Sequence, residues 1–398
     1  MGNRVDIREF KMRLRLRLRR RLRRLPGLAF VLILPCLLLV VKQGHAQAEF
    51  RKYTNEYLNI GVGGRAHGMA GAVAASTHSG YAAFWNPAGL GTLEPSLQVC
   101  AMHAEWFAGI VNYDFIGVTK ALNEERGSFG SLAVIRMGID NIPNTLNLFD
   151  PDGSINYDNI SSFSAADYGI LLSYGQVLGK LTTAGKRFSF GGSAKIIHRR
   201  IGPFATAWGF GLDAGLKYAN ENGWSFALMG RDITTTFNAW KISFTEDEKR
   251  VLQETGNILP KNSIELAAPR IIPAVARKFP AGERSTLLFE LDVDITFDGE
   301  RNTLIHSERV NLDPHIGAEF GFAERLFIRG GLGNIQSVKD DLNPEQINTI
   351  VQPHFGIGLT FGPVVIDYAL TNVGNAAGTS FSHIFSLSLN FKKKDEVP

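Results

Sequence analysis

With 42 Lys/Arg against 38 Asp/Glu over 398 residues, the chain has a formal charge of +4, but its basic residues crowd the first two dozen positions. Residues 1–48 hold 12 of the basic and 2 of the acidic residues, leaving 30 against 36 and a net of −6, which removes the basic surface a nucleic-acid partner would need. Of the two cysteines only Cys100 lies beyond that stretch, which excludes an internal disulfide and any cysteine-based metal motif.

In chain order, the first 48 residues read as an export signal: an Arg-dense run from Lys11 to Arg24, an apolar run from Leu25 to Val41, and the small-x-small site Ala46-Gln47-Ala48. Cleavage is expected after Ala48. The competing reading is an uncleaved anchor helix, but about 17 apolar residues is the lower limit for crossing a bilayer, and Pro26 and Pro35 fall inside the run. Pro35 also makes a poor lipoprotein-type context for Cys36.

Residues 57–90, "YLNIGVGGRAHGMAGAVAASTHSGYAAFWNPAGL", show no strand alternation and are rich in small residues. Small residues let backbone pack closely in a confined space, and Pro87 ends whatever helix or turn precedes it. This stretch reads as a compact N-terminal plug leading into the first strand.

From residue 96 onward the hydrophobic period is 2. In "LLFELDVDITF", Leu287, Phe289, Leu291, Val293 and Ile295 oppose Leu288, Glu290, Asp292, Asp294 and Thr296. About 14 strands are predicted, at 96–107, 109–122, 128–138, 164–175, 187–199, 206–218, 224–235, 263–279, 285–297, 309–321, 325–334, 350–361, 363–372 and 381–391. A soluble sandwich also alternates. Three features favour a membrane barrel instead: the strand lengths suit an outer membrane, aromatics recur at segment ends, and short turns sort to one side with long loops on the other. Past residue 48 no apolar run approaches a spanning helix, so a membrane location requires a closed sheet. In the loop at 236–262, Thr245 and Glu248 form a capping-box signature for a short helix. The fold class is therefore all-β: an antiparallel transmembrane β-barrel of about 14 strands with an N-terminal hatch. Its expected parts are a signal peptide at 1–48, a hatch at 49–95, a barrel at 96–391 and a periplasmic tail at 392–398.

The stretch "NIGVGGRAHGMAGA…AAFWNPAGL" resembles the N-terminal signature of the PorV/PorQ family, within the wider FadL-like outer-membrane proteins, and the ending "GIGLTFGPVVIDYAL…HIFSLSLNF" is similar to that family's last strands. The resemblance covers about a fifth of the chain. It implies a 14-stranded barrel with an N-terminal hatch in which Asn86, Pro87 and Gly89 are hatch-motif residues. The sequence departs from the signature at His67 and Ala70, where a smaller residue and a glycine are expected. PorV-type members work with the type IX secretion system and bind exported cargo proteins; FadL-type members pass long-chain fatty acids or other hydrophobic compounds.

Chemistry is sparse. Glu290, Asp292, Asp294, Asp313 and Glu319 line one side of the lumen if the strands at 285–297 and 309–321 pair. Such a wall could set selectivity; the plainer reading is a polar lumen in which they pair with Lys195, Lys217, Arg231 or Arg329. Pro269 and Pro273 are candidate kink positions, since each removes a ladder donor. "GVGGRA" at 61–66 and "GFGLDA" at 209–214 match a dinucleotide fingerprint without its strand–turn–helix setting, so no cofactor is expected. His103, His198, His315, His354 and His383 fall on separate strands, so no metal is expected, and no G-x-S-x-G is present to suggest an enzyme. The function expected first is a non-enzymatic barrel of PorV/PorQ type that holds secreted cargo for type IX secretion. The alternative is a FadL-like transporter of fatty acids or other hydrophobic compounds. The partners implied are outer-membrane lipid, with cargo proteins, secretion components or hydrophobic small molecules according to the reading.

Overall fold

The computed structural model describes residues 48–50, 54–107, 109–150, 152–179, 187–339, 347–371 and 382–392. The expected export signal lies outside these residues save Ala48, and the expected tail lies outside them save Lys392.

Alternating side chains build fourteen barrel strands. The first six are β1 (Leu97–Trp106), β2 (Val111–Asn123), β3 (Ser128–Asn144), β4 (Ser161–Leu178), β5 (Arg187–Ile201) and β6 (Ala205–Ala219). Two strands are interrupted: β7 runs as Trp224–Arg231 and Thr236–Ile242, and β8 as Ser263–Ala267 and Arg270–Pro280. The last six are β9 (Ser285–Thr296), β10 (Asn311–Phe322), β11 (Leu326–Lys339), β12 (Ile347–Phe361), β13 (Val364–Thr371) and β14 (Ser382–Phe391). Each pairs antiparallel with the next, and β14 returns onto β1, with Ile384 opposite Ala104 and Leu389 opposite Val99. This closure joins the first strand to the last, as hydrocarbon surroundings require.

The two faces are inverted relative to a water-soluble protein. On β9, Glu290 and Asp292 are 2% exposed while Phe289 is 49% exposed. The same holds around the wall: Ile116, Leu132, Leu172, Ile366 and Phe385 face outward, while Thr119, Ser131, Ser173, Asp367 and Ser386 are buried. Neighbouring strands bring these outward side chains into rows, as where Val118, Leu132 and Leu172 face one another across β2, β3 and β4. Such a surface is at rest only in lipid, and the chain is an outer-membrane β-barrel protein.

Strand ends differ from expectation mainly on the long-loop side. β3 runs on to Asn144, β4 begins at Ser161, and Thr236–Ile242 is strand rather than loop. The 18 residues of β4, at about 3.3 Å each and tilted by about 40°, rise roughly 45 Å, beyond an apolar band of about 25 Å. These strands therefore continue past the membrane as an extracellular collar. The predicted loop helix is present as α3 (Glu246–Glu254), reciprocally capped by Thr245 and Glu248.

Between the halves of β7, residues Asp232–Thr235 form an inserted bulge, with Asp232 and Thr235 at positive φ. Its backbone remains satisfied: Ile233 N–H donates to Leu212 O at 2.9 Å and Asp232 N–H to the Asp213 carboxylate at 2.8 Å. Beyond the outer end of β9, the three-residue strand Ala48–Phe50 pairs in parallel with Ile264–Leu266 and covers that stretch of β8.

Candidate functional site: the N-terminal segment and the cavity above it

Residues 54–93 pass through the barrel as short helical turns, among them α1 (Gly64–Gly68), α2 (Ala82–Trp85) and the 3-10 turn Pro87–Thr92. Most of this segment is buried, with Val62, Met69, Ala75, Asn86 and Leu90 at 0% exposure. The barrel wall makes room for it with glycine. Gly175, Gly191 and Gly215 are directly opposite one another on β4, β5 and β6, and a side chain on any of them would overlap Asn86 or Pro87. A second floor supports residues 68–70: a Cβ on Gly317 would come within 2.8 Å of Met69, one on Gly331 within 2.6 Å of Ala70, and one on Gly356 within 2.9 Å of Gly68.

Polar contacts fix the register of the segment. Asn86 donates to Ala74 O at 3.0 Å and to Leu216 O at 3.3 Å, while its own oxygen accepts from Ala88 N–H at 3.1 Å. It is thus the cap of the 3-10 turn that Pro87 opens. The Tyr81 hydroxyl donates to Ala101 O at 2.8 Å, and Lys217 Nζ to Thr77 O at 2.6 Å. Four consecutive backbone N–H groups meet two carboxylates: Val73 and Ala74 donate to Asp292 at 3.0 and 2.9 Å, and Ala75 and Ser76 to Glu290 at 2.6 and 3.1 Å. Lower on the wall, Glu319 joins Arg65 of the segment (2.9 Å) to Arg329 (2.7 Å), which in turn holds Asp367 (2.7 Å). His67 lies against Trp106, with ring centroids 5.7 Å apart. Burial, together with the neighbouring His354 imidazole, pushes its pKa down to about 4.

On the outer side of the segment, beneath the β9–β10 loop, lies a cavity of about 440 Å³, the size of many small-molecule sites. Its lining mixes Ile60, Trp85 and Trp106 with charged groups. Most charges are matched: Arg270 with Asp294 at 2.8 Å, and Arg301 with Glu56 at 3.4 Å and Asp298 at 2.6 Å. Arg231 differs, because its guanidinium lies over the Phe84 ring at 4.4 Å and 5.5 Å from that of Trp85.

The five lumen acids share one wall, since β9 pairs with β10 and sets Asp294 opposite Asp313. They do not act together. Glu290 and Asp292 hold the segment's backbone, Glu319 holds Arg65, and Asp294 and Asp313 line the cavity. Of the basic residues considered as their counter-charges, Arg329 pairs with Glu319, whereas Lys195 turns to Asp213 at 2.8 Å and to Asp232. Asn86 and Pro87 rest on the glycine row, and a Cβ on Gly89 would lie 2.9 Å from the Thr77 side chain. Pro269 occupies the interruption of β8. Pro273 lies within the strand opposite Leu228, where the ladder to β9 lapses and then resumes in the same register. Among the described residues no group of three metal-ligating side chains occurs.

Sequence reasoning passed over the wall glycines, Arg231 as a cavity residue, and the cavity histidines and tryptophans. The signal for the glycines was present: they occupy the inward period of strands whose outward period is bulky.

No protein-family model matches the chain, and no curated protein does. Solved structures do. The CymD monoaromatic hydrocarbon channel superposes with a TM-score of 0.51 at 11% identity, over 84% of this chain and 99% of that one. The toluene transporter TodX of Pseudomonas putida gives 0.49 at 13% identity, over 83% and 98%, and a FadL homologue of Pseudomonas aeruginosa gives 0.46 at 12%, over 83% and 98%. At such identities the similarity to CymD is one of architecture: this chain shares the fold of that barrel channel.

Proposed function

We propose that the chain is an outer-membrane transporter of the FadL-like type, in which the N-terminal segment acts as a hatch and small organic solutes enter from outside. The observation that carries this reading is the solute-sized cavity on the outer side of a segment that otherwise fills the lumen. A barrel serving only as an anchor has no use for a formed cavity behind its outer loops. The architecture shared with a hydrocarbon channel supports the same reading. The test is uptake of radiolabelled toluene, a long-chain fatty acid and a single-ring aromatic acid by cells that carry the protein or lack it. Equal uptake of all three compounds by the two strains would refute it.

The PorV-type reading, attachment of cargo for type IX secretion, stands second. It is supported by the motif of residues 59–90, although Asn86, Pro87 and the motif glycines are already accounted for by packing against the wall. Co-purification of a secreted protein or a translocon component from outer membranes would favour it.

A further inference from the structure

We infer that the cavity takes a small hydroxylated carboxylic acid whose carboxylate docks on Arg231; this rests on the transport reading and specifies its substrate. Arg231 is 7% exposed, lines the cavity, and among the described residues pairs with no carboxylate and donates no hydrogen bond. Its Nε has no partner, while the Phe84 and Trp85 rings hold the guanidinium plane from the side of the N-terminal segment. A guanidinium stacked on rings keeps its N–H edge free for a two-point bond to a carboxylate.

Three further unpartnered polar atoms belong to residues lining the same cavity: Trp106 Nε1, His354 Nδ1 and Asp313 Oδ1. Buried polar groups are almost always satisfied, so such a concentration marks a place where a partner belongs. The two N–H donors, on Arg231 and Trp106, require acceptors on the ligand. The Asp313 oxygen requires a donor, which a hydroxyl supplies. An uncharged hydrocarbon would meet none of these needs and would leave Arg231 buried and unpaired. The volume and the Trp85 and Trp106 rings suit a single-ring acid.

The full chain, purified in detergent, is titrated with 4-hydroxybenzoate and with its neutral counterpart 4-hydroxybenzyl alcohol, following tryptophan fluorescence. The acid is expected to bind at least tenfold more tightly than the alcohol. Arg231→Gln should erase that difference and Arg231→Lys should restore part of it, each variant being checked for the heat-shifted gel mobility of a folded barrel. Equal affinity for acid and alcohol, or an acid preference that survives in Arg231→Gln, overturns the inference, as does the absence of any binding, which would leave water as the partner of these atoms. Toluene entry into proteoliposomes separates the two claims: entry without acid binding overturns the acid site and leaves the transport reading standing, whereas neither entry nor binding overturns both.

Discussion

Replacing Asp292 by alanine should loosen the N-terminal segment, and replacing it by asparagine should not. Asp292 is 2% exposed and accepts the N–H groups of Val73 and Ala74. Alanine leaves both donors buried without a partner, at about 1–3 kcal/mol each, or about 2–6 kcal/mol in all. One effect opposes this. Glu290 lies two residues away on the same face, so the two carboxylates are about 7 Å apart and repel by about 2 kcal/mol at an effective dielectric near 20. Removing the charge relieves that repulsion, and the net loss in Asp292→Ala becomes up to about 4 kcal/mol. Asparagine keeps an oxygen acceptor and also ends the repulsion, so its segment should be held at least as well as in the wild type. Tryptic cleavage after the half-buried Arg65, together with conductance in planar bilayers, reads the opening. Each 1.4 kcal/mol multiplies the opened population tenfold, so cleavage in Asp292→Ala should rise by up to roughly a thousandfold. If Asp292→Asn is cut as fast as Asp292→Ala, the charge itself holds the segment and the acceptor argument fails. If neither differs from wild type, these contacts do not restrain the segment.

Three other outcomes follow from the same geometry. Gly191→Ala places a methyl group into the backbone of Pro87 and should cost about 1–3 kcal/mol, whereas the adjacent Gly192→Ala meets only Asp213 O at 3.4 Å and should be nearly silent; urea unfolding compares the two. Ala70 has φ of 54° and is 5% exposed, so Ala70→Gly trades a buried methyl for relief of left-handed strain and should stay within about 1 kcal/mol of wild type; Ala70→Val, β-branched at that φ, should impair folding as judged by heat-shifted gel mobility. His67 is held neutral by burial, with its pKa at about 4 against an ordinary value of 6.5, so the unfolded chain binds this proton first as the medium acidifies. Its contribution is complete above pH 6.5 and is lost as pH falls from 6.5 to 4, by about 3 kcal/mol; His67→Gln should flatten that part of the stability profile, and an unchanged slope would assign it to other groups.

The barrel was legible in the sequence because hydrocarbon imposes a strict code. Every outward position on β9 is apolar from Leu287 to Ile295, and a run of that kind cannot be read in another register without exposing Glu290 and Asp292 to lipid. The collar was less legible because outward positions there meet water, which tolerates either class: Thr236–Ile242 alternates Phe237 and Ala239 against Asn238 and Trp240, without a polar–apolar contrast. The site was legible only in parts. Asn86-Pro87 announces a capped turn by local chemistry alone. The fate of Glu290 and Asp292 depends instead on which backbone N–H groups face them across the lumen, and those lie more than 200 residues away in sequence. Ala70 is the converse case: a glycine was expected there, and the backbone does adopt the left-handed conformation glycine prefers, with alanine in place.

The interrupted strands constrain how a solute could leave. Pro269 opens β8 beside the bulge of β7, so a gap in the wall would be sought there. Yet Asp232 faces inward to Lys195 and Thr236, and the bulge amides are bonded to Leu212 and Asp213. The space beside Ala268 and Pro269 is about 20 Å³, room for one water molecule. A single-ring solute cannot pass there in this conformation. On the transport reading, one course among the described residues runs past the segment itself, where the four N–H groups of residues 73–76 bind Asp292 and Glu290. On that reading, passage of solute by this course requires release of that contact, which makes the strength of the Asp292 contact a determinant of flux as well as of stability. On this argument Asp292→Ala should raise uptake in parallel with cleavage at Arg65, while a bulge deletion at Thr234 should leave uptake unchanged.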